Sequence, residues 1–87
     1  GNFLYVFYKR YEKGLKTGIL VYNIQNKDKL EYVSNTTVDD DSYGYITTAP
    51  NGKNLFLATK QTIAKYSINP ANGKLTLVDT RRDDVIS

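Results

Sequence analysis

The sequence of 87 residues predicts an all-β fold of short antiparallel strands. Three observations lead there. β-Branched and aromatic residues come in short runs bounded by turn chemistry. No segment sustains a helical period. One pattern of residues also occurs twice along the chain.

Taken in order, Phe3-Leu4-Tyr5-Val6-Phe7-Tyr8 is apolar on both faces, as for a strand buried between layers. Gly18-Ile19-Leu20-Val21-Tyr22-Asn23-Ile24 follows, with Leu20, Tyr22 and Ile24 sharing one face. The segment from Leu30 to Val38 alternates loosely, as a half-exposed strand does. Tyr45-Ile46-Thr47-Thr48-Ala49 is short and runs into Pro50-Asn51-Gly52-Lys53. Pro fixes one φ there, and Asn-Gly tolerates positive φ, so this is a reverse turn. Leu55–Thr59, Ile63–Ile68 and Leu75–Thr80 are the remaining strands, the last two joined by a second turn, Asn69-Pro70-Ala71-Asn72-Gly73-Lys74.

The repetition turns these strands into an architecture. Gly1-Asn2-Phe3-Leu4-Tyr5-Val6 aligns with Gly52-Lys53-Asn54-Leu55-Phe56-Leu57, Tyr22-Asn23-Ile24 with Tyr66-Ser67-Ile68, and Lys29-Leu30-Glu31-Tyr32-Val33 with Lys74-Leu75-Thr76-Leu77-Val78. A repeat of 44–51 residues built from four strands has the size of a β-propeller blade. Residues 1–42 then hold the outer three strands of a first blade (3–9, 18–25 and 29–38), with an insertion at 9–17. Residues 43–87 form a complete second blade, with strands at about 45–49, 54–60, 62–68 and 74–81. Because propellers close with four or more blades, the remaining blades, or further copies of this chain, are expected partners.

Composition narrows the chemistry. There is no Cys and no His, so disulfides, thiol nucleophiles and the commonest general base and metal ligand are missing from these 87 residues. The net charge of +3, from 12 basic and 9 acidic residues, is mild, and nucleic acid is not an expected partner. No apolar run reaches the roughly 20 residues of a membrane helix, so membrane insertion is not expected either. The chain reads as soluble, with the cytoplasm favoured over secretion, although Asn35-Thr36-Thr37 fits the glycosylation triplet of secreted proteins.

The same residues resemble the repeats of the lactonase-type (YVTN-like) seven-bladed β-propellers, the family of bacterial 6-phosphogluconolactonase and fungal carboxymuconate cyclase. Its signature is close to Pro-Asp-Gly-Lys-x-Leu-Tyr-Val, then Val-x-Val-Tyr-x-Ile, then Asp-Pro-x-x-Gly-x-Leu. Pro50–Leu57, Ile63–Ile68 and Asn69–Val78 match the three parts in turn, and Phe3–Val6 with Val21–Ile24 repeat the first two. The resemblance implies a rigid scaffold that binds a ligand or a protein. It also implies, as an alternative, part of an enzyme that hydrolyses or forms a lactone of an acidic sugar or carboxylate. Surface-layer proteins carry similar repeats, which implies a structural cell-surface role as a third possibility. The family's catalytic His has no counterpart here, so no catalytic residue is carried over, and no cofactor or metal is expected.

Alternating strands place two unusual connections on one face of such blades, and loops on rigid scaffolds carry function disproportionately. The insertion, with Lys9, Arg10, Tyr11 and Lys13, is suited to an anionic small molecule or an acidic protein surface. Its plainer reading is a solvated hairpin tip whose lysines discourage edge pairing. Asp39, Asp40 and Asp41, followed by Tyr43, lead into the innermost strand. Three adjacent carboxylates offer oxygen ligands, but they lack the spacing of a calcium loop, and the plainer reading is an acidic turn. Tyr43 and Tyr45 flank Gly44, where either the central channel or packing between blades would receive a ring.

Overall fold

A computed structural model describes residues 2–9, 17–26, 29–38, 44–60 and 62–82. Seven strands appear there: β1 (Asn2–Tyr8), β2 (Thr17–Asn26), β3 (Lys29–Val38), β4 (Tyr45–Thr48), β5 (Asn54–Ala58), β6 (Thr62–Ile68) and β7 (Leu75–Arg82). The fold is all-β. β1-β2-β3 form one antiparallel sheet and β4-β5-β6-β7 a second, each in sequence order.

The two turns foreseen at Asn-Gly close hairpins by the same chemistry. Gly52 and Gly73 take positive φ, +72° and +79°. The Asn51 and Asn72 side-chain oxygens accept hydrogen bonds from the amides of Lys53 and Lys74. Such local bonds hold the backbone in its turn without a strand partner.

The two sheets are registered alike. Leu4 lies opposite Tyr22 and Val6 opposite Leu20 in the first, while Leu55 faces Tyr66 and Leu57 faces Ala64 in the second. β3 and β7, the last strand of each sheet, carry a bulge in the same place, and the β2–β3 pair has a further irregularity between Ile24 and Asn26 that the β6–β7 pair lacks. Val33 is skipped between Val21↔Ser34 and Tyr22↔Tyr32, and Val78 between Lys65↔Asp79 and Tyr66↔Leu77. An extra residue in one strand bends it and raises its twist. The hint in the sequence is an apolar pair, Tyr32-Val33 and Leu77-Val78, where strict alternation would put one apolar residue.

The core lies between the sheets. Ile19 and Val38 of the first sheet meet Leu55, Leu57, Ala64 and Tyr66 of the second, with Tyr5, Phe7, Ile46, Ile68 and Leu75 packed around them. Burying a large aliphatic side chain stabilises by about 1.5–3 kcal/mol. A polar pin adds to this: the Tyr5 hydroxyl donates to the Gly73 carbonyl at 2.9 Å.

Three expectations shift. β1 is not buried on both faces, because Phe3, Tyr5 and Phe7 turn toward the second sheet and leave Leu4 and Val6 exposed. Thr17, expected in the insertion, is the buried first residue of β2, paired with Val38. β5 ends at Ala58 rather than 60, because the Thr59 amide turns to bond the Thr62 carbonyl at 2.9 Å.

Replacing Leu55 by Ala is expected to cost about 2–5 kcal/mol, measured by denaturant unfolding, since it opens a cavity between the sheets. A loss below about 1 kcal/mol would contradict the packing. Two glycine substitutions separate strain from contact. A Cβ on Gly52 meets nothing within 4 Å, whereas one on Gly73 would stand 2.5 Å from the Phe3 ring. Gly52→Ala should therefore cost about 1 kcal/mol and Gly73→Ala clearly more in the same assay.

Candidate functional site

Strand direction gathers one set of chain ends. Tyr8↔Gly18 and Thr17↔Val38 close one end of the first sheet, and Tyr45↔Ala58, Ala58↔Ile63 and Thr62↔Arg82 close one end of the second. These ends adjoin, because Val38 lines the same cavity as Thr59, Thr62 and Thr80. Gly44 marks the junction, where a Cβ would meet Leu57 at 2.8 Å and Phe7 at 3.3 Å. The chain leaves β1 and enters β2 at this end, and it leaves β3 and enters β4 at this end too.

Of the residues singled out in the sequence, Lys9 is described. It follows β1 at this end and is half-buried. Arg10, Tyr11, Lys13, Asp39, Asp40, Asp41 and Tyr43 lie outside the described residues. Tyr45 opens β4 with its ring exposed on the side away from the first sheet. Asn35 of the glycosylation triplet accepts a hydrogen bond from the Tyr8 hydroxyl at 2.8 Å.

A cavity of about 310 Å³ opens between the sheets here, with Leu57, Ala64, Tyr66 and Leu77 alongside Val38 and the three threonines. Sequence reading did not single out these threonines. They stand at strand ends or alternate strand positions and carry no motif; the internal face on which they fall depends on how the sheets stack. The Thr59 hydroxyl donates to the Thr62 carbonyl at 3.3 Å, which ties the β5–β6 turn across the cavity's edge. Among the described residues the lining is neutral, with threonine hydroxyls over an apolar floor. Among the described residues, no group of three or more His, Cys, Asp or Glu is placed to hold a metal ion.

No protein-family model matches the chain, and no curated protein matches it. Its fold is similar to part of the crystal structure of a functionally unknown protein from Desulfotomaculum acetoxidans, with a TM-score of 0.65 and 19% sequence identity. The likeness covers 72% of this chain and 20% of that one. The chain therefore spans about a fifth of that neighbour, and at this identity the likeness speaks for the fold alone.

Two tyrosines couple the core to pH. Burial raises the pKa of the Tyr66 and Tyr5 hydroxyls above the ordinary value. The folded chain thus holds these protons more tightly than the unfolded chain. Their contribution is fully present below about pH 10 and is lost as pH rises through the raised values. Unfolding free energy should fall as pH rises above about 10, and Tyr66→Phe should flatten that fall in denaturant titrations. An unchanged slope in Tyr66→Phe would remove this tyrosine from the account.

Proposed function

We propose that the chain is two neighbouring blades of a lactonase-like β-propeller and serves as a rigid scaffold that presents its loops to a ligand or partner protein. The observation that carries the reading is the common register of the two sheets, down to the bulges at Val33 and Val78. Two unrelated sheets have no reason to share both cross-strand pairs and the position of an irregularity. The way they stack supports it further, since the first sheet covers the second with Tyr5 and Phe7 while the corresponding Phe56 and Ala58 lie on the second sheet's outer side. The neighbour from Desulfotomaculum acetoxidans adds that a similar arrangement occurs as a fraction of a longer chain.

The scaffold's working end is the one where the β1–β2 and β3–β4 connections leave the sheets. Buried anchors on both sheets, Thr17 and Val38 on one and Leu57 and Thr59 on the other, hold the bases of those connections. A basic segment on such a base attracts anions by charge, and the attraction weakens as salt screens it.

The test is an amide NMR titration of the chain with inorganic phosphate at low and high salt. Shifts confined to Thr17, Val38, Thr59, Thr62 and the adjoining connections are expected, weakened by salt and by Lys13→Ala. That substitution should alter folding stability by less than about 0.5 kcal/mol. Shifts at the Asn51 and Asn72 turns, or none at all, would move the binding end elsewhere. Turnover of a sugar-phosphate lactone by the chain would replace the scaffold with an enzyme.

A further inference from the structure

The outer face of the first sheet carries an apolar patch, with Asn2, Tyr8, Asn35 and Thr37 on the same face around it. Leu4 and Val6 of β1, Leu20 and Tyr22 of β2, and Leu30 and Tyr32 of β3 share it, as the pairs Leu4↔Tyr22, Val6↔Leu20 and Tyr22↔Tyr32 place them side by side. The Tyr22 and Tyr32 rings meet edge to face, their centroids 6.0 Å apart. Leu4 and Val6 keep 38% and 37% of their surface exposed, and Leu30 and Tyr32 more than half.

The second sheet shows what covers such a face. Leu55, Leu57, Ala64 and Tyr66 occupy the same register as Leu4, Val6, Leu20 and Tyr22. There the two leucines are only 1% exposed, because Tyr5, Phe7 and Ile19 of the first sheet lie against them. The covering residues have counterparts on the outside of the second sheet. Tyr5 corresponds to Phe56 and Ile19 to Ile63, while Phe7 and Val21 correspond to the smaller Ala58 and to Lys65, as set by the pairs Tyr5↔Val21 with Phe56↔Lys65 and Phe7↔Ile19 with Ala58↔Ile63. The two-sheet unit thus carries an uncovered acceptor face on one side and a covering face on the other.

We propose that copies of this chain dock head to tail, the outer face of the three-stranded sheet in one copy receiving the outer face of the four-stranded sheet in the next. The inference rests on the reading of the sheets as neighbouring blades and extends the interface already inside the chain. A second copy is the occupant because it bears the surface whose counterpart fits this face within one molecule. The contact joins two different patches, so it is heterologous: it does not saturate in a dimer, and it generates a ring where the rotation closes.

The test is sedimentation velocity of the 87-residue chain over a concentration series, with Leu4→Glu, Phe56→Glu and their equimolar mixture. The wild type should gain mass with concentration, and each variant alone should stay monomeric. The mixture should form a heterodimer and stop there, since each variant retains the face the other has lost. A monomeric mixture overturns the proposal, and so does a variant that assembles alone, because a self-complementary contact would behave that way. Tyr32→Glu and Ile63→Lys replace the first pair if either lowers the melting temperature. A wild type that stays monomeric while Leu55→Ala still destabilises it overturns the docking alone. A monomer indifferent to Leu55→Ala overturns the two-blade reading as well.

Discussion

The packing of Leu55 and Leu57 beneath Ile19, Tyr5 and Phe7 is the interaction on which the rest of the structure depends. A single antiparallel sheet of three or four strands has one face to bury and, in a chain this short, little with which to bury it. Stacking the two sheets removes that face of both from water at once. The Tyr5 hydroxyl on the Gly73 carbonyl then ties β1 to the β6–β7 turn and sets how the sheets lie on one another. Gly73 belongs to the same contact: its lack of a side chain gives the Phe3 ring room to approach, and its positive φ lets the hairpin close there.

From that interface follows the character of the two ends. At one end the hairpins are short and self-contained, tied by Asn51, Asn69 and Asn72 side chains to nearby amides. At the other end the β1–β2 connection, residues 9–16, is longer than any of these, and the strands end on buried anchors, Thr17, Val38 and Thr59. The cavity between Val38 and Thr80 lies at the second end as well, with threonine hydroxyls in its lining.

The asymmetry of the stack matters as much as its strength. The two sheets do not meet by like faces; one presents Tyr5 and Phe7, the other Leu55 and Tyr66. An arrangement of that kind leaves a different surface open on each side of the unit. Leu4, Val6, Leu30 and Tyr32 lie on the face that is left open in the first sheet.

The sequence by itself determined the strands, the turns and the repetition. These are local matters: alternation with period two, Asn-Gly chemistry at Asn51-Gly52 and Asn72-Gly73, and spacing along the chain can all be read without knowing what touches what. Only the tertiary structure decided which face of each strand is buried. In β1 every residue from Phe3 to Tyr8 is apolar, so the pattern is silent, and the choice of Phe3, Tyr5 and Phe7 over Leu4 and Val6 comes from the sheet stacked on one side. The bulges at Val33 and Val78 and the threonine-lined cavity were hidden for the same reason, since register and stacking are relations between segments distant in the chain. Of the residues that the sequence marked for binding, Lys9 is described, and it follows β1 at the end where Tyr8 pairs with Gly18.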